Sequence, residues 1–156
     1  MSPNRRASPA EVGPDLAFRP GVVSRLLALD YGSARCGCAV SDPSGTIATP
    51  LDAIERPASE EGLRRIARLV SDERVGRVVV GLPRSLSGDE GPQAHETRAF
   101  ANRLQAILTV PVVVYDERFT TSLARRTRGR AAEDSRAAAH LLDSYLDAQS
   151  RGPKRD

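Results

Sequence analysis

The sequence of 156 residues is poor in aromatic, sulfur-containing and imidazole side chains. It has no Trp, three Tyr, three Phe, one Met and two His. With so few rings, a hydrophobic core has to be built from aliphatic residues. Neither a Ser-His-Asp order nor a Cys-His pair nor a Gly-rich phosphate loop is recognisable, and both His lie on predicted helical faces. These absences disfavour the common nucleophilic hydrolases and the P-loop enzymes.

Long apolar runs and a cysteine framework are also absent. No run approaches the roughly 18–20 apolar residues that cross a bilayer, and Met1 to Arg6 contains no apolar stretch of the signal-peptide kind. Cys36 and Cys38 are two apart on a predicted strand, where a bridge between them would be strained. No other Cys or suitably spaced His completes a zinc site. We therefore expect a reduced, cytoplasmic protein without a membrane segment.

The length and the composition predict one folded domain with tails. Residues 1–24 are rich in Pro, Ser, Gly and Arg, and we expect a disordered leader there. Residues 25–150 contain the apolar runs that can build a core. Residues 151–156 are predicted to be a short, basic, disordered tail.

Hydrophobic periodicity predicts an α/β fold. Strands are expected near residues 26–31, 36–40, 46–54, 75–82 and 111–115, and helices near 59–72, 92–108 and 134–149, with a short helix starting at Thr120 or Thr121. Phe100, Leu104 and Ile107 form the expected apolar stripe of the middle helix. This order predicts a five-stranded mixed sheet, made of a three-stranded antiparallel meander and two parallel strands, with helices on both faces.

The net charge of +3 conceals an uneven distribution. Residues 118–136 hold six Arg against two acidic residues, and Arg125 to Arg130 forms a predicted basic loop. A coding preference for Arg explains why 22 of the 23 basic residues are Arg, but it does not explain this clustering. The cluster favours contact with the phosphates of a polyanion.

Acidic residues stand where predicted strands end. Asp30 closes the first buried strand, and Asp116 and Glu117 follow the last one. Strand alternation puts Glu117 on the face of Val113 and Tyr115, and Asp116 on the other face. The alternatives are that Asp30 caps the turn that follows it and that Glu117 belongs to a solvated acidic turn.

A further acid opens the last predicted helix. Asp134, Ala138, Leu141 and Tyr145 follow one another at helical spacing, so they share one stripe, which the sequence predicts to face the core. Asp134 would then project inward from the first turn. It could equally be the N-cap of this helix.

Carboxylates at the ends of two strands and the start of a helix suit one kind of chemistry. Hard oxygen ligands hold Mg²⁺ or Mn²⁺, and two such ions about 4 Å apart promote phosphodiester hydrolysis. The sequence therefore favours a metal-dependent nuclease. Because aromatic residues are scarce, nucleic acid would be recognised by its backbone and shape.

Four segments in order resemble the motifs of the YqgF family, over residues 26–149. They are Leu29–Asp42 (LDYGSARCGCAVSD), Gly81–Gly88 (GLPRSLSG), Asp116–Thr121 (DERFTT) and Asp134–Ala138 (DSRAA). Members of this family are described as Holliday-junction resolvases and as nucleases that mature the 5′ end of 16S ribosomal RNA. The resemblance implies a ribonuclease H-like fold in which Asp30, Glu117 and Asp134 bind the metal ions. It also implies that the Gly81–Gly88 loop and Arg118 approach the nucleic acid.

The leading hypothesis is a two-metal-ion nuclease that uses Mg²⁺ or Mn²⁺ on pre-16S rRNA. Its expected phosphate contacts are Arg84, Arg118, Arg125, Arg126, Arg128 and Arg130. One alternative is a nuclease for Holliday junctions or single-stranded DNA in recombination and repair, and another is a non-catalytic RNA-binding protein. Expected partners are nucleic acid and ribosomal particles, with a monomer or weak homodimer. The connection from Thr121 to Asp134 is shorter than is usual for the family. A fragment of the sugar-kinase type is disfavoured because its second domain and second phosphate loop are missing.

Overall fold

Five strands form one mixed sheet with the spatial order β3-β2-β1-β4-β5. The computed structural model describes residues 24–83, 90–116 and 130–150, with only the backbone for residues 130–134. The strands are β1 (Arg25–Asp30), β2 (Arg35–Ser41), β3 (Ala48–Glu55), β4 (Val75–Leu82) and β5 (Val112–Asp116). The helices are α1 (Glu60–Asp72), α2 (Pro92–Ile107) and α3 (Arg130–Ser150).

The directions of the strands bring three strand ends to one edge of the sheet. β1, β2 and β3 form an antiparallel meander, whereas β4 runs parallel to β1, and β5 parallel to β4. The carboxyl ends of β1, β4 and β5, at Asp30, Leu82 and Asp116, therefore share one edge, which we name the carboxyl edge. The predicted α/β class, with a five-stranded mixed sheet made of an antiparallel meander and two parallel strands, is confirmed.

Alternation along β1 divides the core into two layers. Leu27 and Leu29 pack with α1 and α2 on one face of the sheet, and Leu26 and Ala28 pack with α3 on the other. Because both faces are covered, β1 and β4 consist of almost unbroken apolar residues, as expected for the buried strands of a two-sided sheet. The predicted helices on both faces are confirmed.

Local signals in the sequence determine where α1 begins. The Ser59 hydroxyl caps this helix by accepting a 3.0 Å hydrogen bond from the Gly62 amide. Glu60 and Glu61 follow in the first turn, where the helix dipole favours acidic side chains. A Cβ atom at position 62 would lie 2.3 Å from the carbonyl oxygen of Arg56, so only glycine fits there.

Two sequence predictions about the helices are wrong. Ile107 is 50% exposed, because Leu108, four residues after Leu104, packs against the core in its place. The buried stripe is Ala94, Thr97, Phe100, Ala101 and Leu104. Helix α3 begins at Arg130, four residues before the predicted start, so Arg130 belongs to the helix and not to the basic loop. The four residues Arg130 to Glu133 are good helix formers without Gly or Pro, which explains the extension.

Other predictions fall on parts of the chain that the structure does not describe. The leader up to residue 23, the tail 151–156, the short helix at Thr120 or Thr121 and the loop 125–129 all lie outside the described residues. In the three described ranges, no helix has the length and hydropathy to span a bilayer.

Candidate active site

Asp30 lies at the carboxyl edge on the face of the sheet that α3 covers. It ends β1, is half-buried, and follows Leu26 and Ala28 in the alternation that points to α3. Its partner across the β1–β2 ladder is Gly37. Because Gly37 has no side chain, the position on β2 next to Asp30 places no side chain on this face. A partly buried carboxylate at the end of a strand can act as an oxygen ligand for a hard cation.

The turn after Asp30 explains the Asp-x-Gly pattern of the sequence. A Cβ atom at Gly32 would lie 2.6 Å from the carbonyl oxygen of Arg35, the first residue of β2. The chain therefore reverses so tightly that only glycine fits. The pattern serves the β1–β2 turn, and this turn holds the end of β1 in place.

Tyr31 anchors the same turn on the opposite face. Its hydroxyl donates a 2.8 Å hydrogen bond to Oε1 of Glu96 in α2, and its ring stacks on Phe100 with 4.4 Å between the ring centroids. Burial, with help from the hydrogen bond to Glu96, raises the pKa of Tyr31 to about 12. The phenol is therefore neutral at physiological pH, and its contacts with α2 hold the chain in place directly after Asp30.

Two hydrogen bonds fix the direction of α3 across the sheet. Near its start, the Ser135 hydroxyl donates to the carbonyl oxygen of Leu51, which lies across β2 from the carboxyl end of β1. Near its end, the Tyr145 hydroxyl accepts from Arg77, close to the start of β4. Helix α3 therefore crosses the sheet from β3 towards β4 and β5, where Tyr145 also contacts Tyr115. Its first turns lie close to the level at which β1 ends.

Asp134 is the fifth residue of α3, one position before Ser135. Its predicted role as the N-cap is therefore wrong, because the helix begins four residues earlier. The stripe on which the sequence placed it does face the core: Ala138, Leu141 and Tyr145 are all buried. The side chain of Asp134 lies outside the described part, so its role as a ligand stays a prediction.

The end of β5 lies at the same edge. Tyr115 pairs with Gly81, and Asp116 pairs with Leu82. Val113 and Tyr115 pack against the layer that contains α3, so Asp116 alternates to the other face. The predicted ligand Glu117 and the predicted phosphate contacts Arg84, Arg118, Arg125, Arg126 and Arg128 lie outside the described residues, as does the side chain of Arg130.

Asp42, the acid that ends the first motif, lies at the opposite edge, in the loop between β2 and β3. Its Oδ1 accepts 2.8 Å hydrogen bonds from the amides of Thr46 and Ile47, and Ser44 donates to Oδ2. These hydrogen bonds, the one from Ile47 above all, lower the pKa of Asp42 to about 2. This carboxylate holds a hairpin loop and takes no part in the site at the carboxyl edge.

The carboxyl edge brings Asp30 together with the first turns of α3. In the part of the chain whose side chains are described, no three His, Cys, Asp or Glu residues form a group that could hold a metal. No role was predicted from the sequence for Tyr31, Gly37, Glu96 or Ser135, although each helps to shape this edge. Ser135 lies inside the motif Asp134–Ala138, and this position could have indicated a role for it. Glu96 lies outside the four motifs and 65 residues from Tyr31, so no pattern in the sequence links the two.

Comparisons with known proteins agree with these observations. A family model described as "RuvX: Holliday junction resolvase" matches residues 24–148. A protein of Desulforudis audaxviator named as a pre-16S rRNA nuclease is 41% identical over 82% of this chain and 97% of its own length. A protein of the same name from Pelotomaculum thermopropionicum is 42% identical over 85% of this chain and 92% of its own length.

Among solved structures, Thermus thermophilus RuvC in complex with a Holliday junction substrate covers 84% of this chain and 98% of its own, with a TM-score of 0.48 and 17% identity. The family match spans all the described strands and helices except the last two residues of α3. The relatives are matched over nearly their whole length. This chain therefore belongs to the RuvX (YqgF) family of nucleases.

Proposed function

We propose that this protein is a two-metal-ion nuclease that cleaves phosphodiester bonds in the 5′ region of pre-16S rRNA. The observation that carries the proposal is the meeting of Asp30 and the first turns of α3 on one face of the carboxyl edge. Family membership supports a nuclease, and the names of the relatives support the rRNA precursor as substrate.

Three carboxylates are the proposed metal ligands. Asp30 supplies the described one. Strand alternation in the sequence predicts that Glu117 shares the face of Val113 and Tyr115, and helical spacing predicts that Asp134 shares the stripe of Ala138 and Leu141. These two predictions are the reason for proposing both acids as ligands beside Asp30. The oxygen donors fit Mg²⁺ or Mn²⁺. When bound, the ions supply the charge that activates water and stabilises the leaving oxygen.

The basic segment is the proposed binding surface for nucleic acid. Its members are Arg118, Arg125, Arg126, Arg128 and Arg130, with Arg84 at the rim. Arg side chains bind phosphate oxygens through paired hydrogen bonds, and these contacts lose affinity as salt is raised. Recognition then follows the backbone and shape of the substrate. Residues 25–150 would carry the whole activity, in the cytoplasm, on free rRNA or on ribosomal particles, as a monomer or weak homodimer.

A second candidate is a nuclease for four-way DNA junctions, which the description of the family model favours. It uses the same carboxylates and differs only in substrate. A non-catalytic RNA-binding protein is the alternative of another class, since it needs the basic segment but no metal.

One assay separates these functions. The purified protein is incubated with labelled fragments of the pre-16S rRNA 5′ region, single strands and four-way junctions of equal length, each with Mg²⁺, Mn²⁺ or EDTA. We expect metal-dependent cleavage of the rRNA precursor and none in EDTA. Preferential cleavage of four-way junctions would instead support the second candidate, the junction nuclease. Binding that persists in EDTA, without cleavage in either metal, would contradict the nuclease.

A further inference from the structure

The outer strand β3 carries an irregularity close to Asp30. Two of its residues, Asp52 and Ala53, stand opposite the single residue Gly37 of β2. Gly37 is in turn the ladder partner of Asp30. This arrangement of two residues against one is a β-bulge, which interrupts the ladder and is over-represented next to active sites.

The hydrophobic pattern of β3 explains the bulge. Leu51 and Ile54 both pack into the core layer that contains α1 and α2. Residues three apart point to opposite faces of a regular strand. The extra residue between Leu51 and Ile54 restores both side chains to the same face.

Ser135 of α3 binds this irregular part of β3. Its hydroxyl donates a hydrogen bond to the carbonyl oxygen of Leu51, the residue immediately before the bulge. Serine inside a helix commonly donates to the carbonyl four residues earlier in its own helix. Ser135 instead reaches another element and is 1% exposed, so this contact satisfies its buried hydroxyl.

We propose that Ser135 is a positioning residue for the metal site. Its bond to Leu51 fixes the first turns of α3 at the level of the sheet where Asp30 ends β1. The next residue towards the start of the helix is Asp134, so the same contact sets the distance between the two proposed ligands. This inference rests on the proposed function.

A positioning role has a measurable signature. Groups that orient metal ligands without touching the metal typically change metal affinity by about tenfold or more when they are removed. A contact that only stabilises the fold would lower the unfolding temperature and leave the metal affinity unchanged.

The test compares Ser135→Ala with Ser144→Ala. Ser144 is a matched control because it lies on the same helix, nine residues further on, and its hydroxyl is 3.2 Å from that of Tyr115. Mn²⁺ affinity is measured by isothermal titration calorimetry, and the Mn²⁺ concentration for half-maximal cleavage is measured on the substrate that the wild type cleaves. Thermal unfolding without metal reports the stability of each variant.

We expect Ser135→Ala to weaken Mn²⁺ binding and to raise the half-maximal Mn²⁺ concentration by about tenfold, with cleavage recovering at saturating Mn²⁺. Ser144→Ala should keep the wild-type affinity even if it lowers the unfolding temperature as much. Equal Mn²⁺ affinities for the two variants and the wild type would overturn the inference about Ser135 without contradicting the proposed nuclease function. A wild-type protein that neither binds Mn²⁺ nor cleaves would instead contradict the proposed function.

Discussion

The hydroxyl of Tyr31 donates a 2.8 Å hydrogen bond to Oε1 of Glu96, and this bond joins the residue after Asp30 to helix α2. The two partners are 65 positions apart in the sequence. Together with the stacking of Tyr31 on Phe100, the bond holds the β1–β2 turn from the face opposite α3. The carboxyl end of β1 is therefore supported from both sides of the sheet.

Removing this hydroxyl should weaken the fold in a pH-dependent way. We expect Tyr31→Phe to lower the free energy of unfolding by about 1 kcal/mol near pH 8, the typical net value of one hydrogen bond. The pKa of Tyr31 is raised from 10.0 to about 12 in the folded protein. The stability that depends on the protonated phenol is thus complete below pH 10 and is lost as the pH rises through 10 to 12.

The measurement is urea unfolding of the wild type and Tyr31→Phe at pH 8 and pH 11. The difference between the two proteins should shrink at the higher pH, because only the wild type has this phenol to ionise on unfolding. A difference that stays constant would show that the Tyr31 hydroxyl is not coupled to the fold.

Asp42 should make the hairpin between β2 and β3 sensitive to acid. Its pKa is lowered from 3.8 to about 2, chiefly by the hydrogen bond from the Ile47 amide. The stability that it contributes is present above pH 4 and is lost as the pH falls through 4 to 2. We expect Asp42→Ala to unfold at lower temperature than the wild type at pH 7, and the gap to close near pH 2.

Ser44→Ala provides a graded comparison, because it removes only one of the hydrogen bonds to the Asp42 carboxylate. Thermal unfolding by circular dichroism should place it between the wild type and Asp42→Ala. If Asp42→Ala loses the same stability at pH 2 and pH 7, the ionised carboxylate is not what holds the loop.

Much of this architecture could be predicted from short-range pattern. The apolar runs of β1 and β4 and the buried stripe of α3 follow directly from spacing. The bulge in β3 could not, because the extra residue becomes apparent only when Leu51 and Ile54 are both known to face one core layer. Ile107 was misplaced because Leu108, one residue further on, packs against the core instead.

The candidate site was predictable in part for the same reason. Asp30 can be recognised in the sequence because it is a charged residue at the end of an apolar strand. The contacts that hold its surroundings, from Tyr31 to Glu96 and from Ser135 to Leu51, join residues far apart in the chain. No local pattern encodes such pairs, because they form only when the helices dock on the sheet.

The basic segment offers a test of phosphate binding. Replacing Arg126 and Arg128 together with Ala should weaken substrate binding and flatten the slope of log affinity against log salt by roughly one to two phosphate contacts. Arg64→Ala with Arg68→Ala is the matched control, since both side chains are exposed on α1, on the other face of the sheet. Binding is measured by fluorescence anisotropy from low to high salt. Equal slopes of log affinity against log salt for the two double variants would show that the segment does not bind phosphates.

Two acids of α3 distinguish the inward stripe from the outer face. Asp134 and Asp143 are nine residues apart, which is about 180° of helical rotation, and Asp143 is exposed. We expect Asp134→Asn to lower cleavage by at least about tenfold, or roughly 1.4 kcal/mol of transition-state stabilisation. Asp143→Asn should change it by less than about twofold.

Initial rates of both variants are compared well below their unfolding temperatures, so that stability does not enter the comparison. Greater sensitivity at Asp143 would mean that the third ligand is misassigned, although the fold would stand.

The central claim is that Asp30 is a metal-binding carboxylate, and Asp30→Asn tests it most directly. An amide keeps the size of the side chain but cannot hold two cations, and in the metal-free protein it removes the repulsion between carboxylates. Asp42→Asn makes the same chemical change at the opposite edge of the sheet and serves as the control. Metal-dependent cleavage by the two pure, folded proteins is the measurement. The account predicts that Asp30→Asn abolishes cleavage while the fold stays intact and Asp42→Asn remains active; full activity of Asp30→Asn would contradict it.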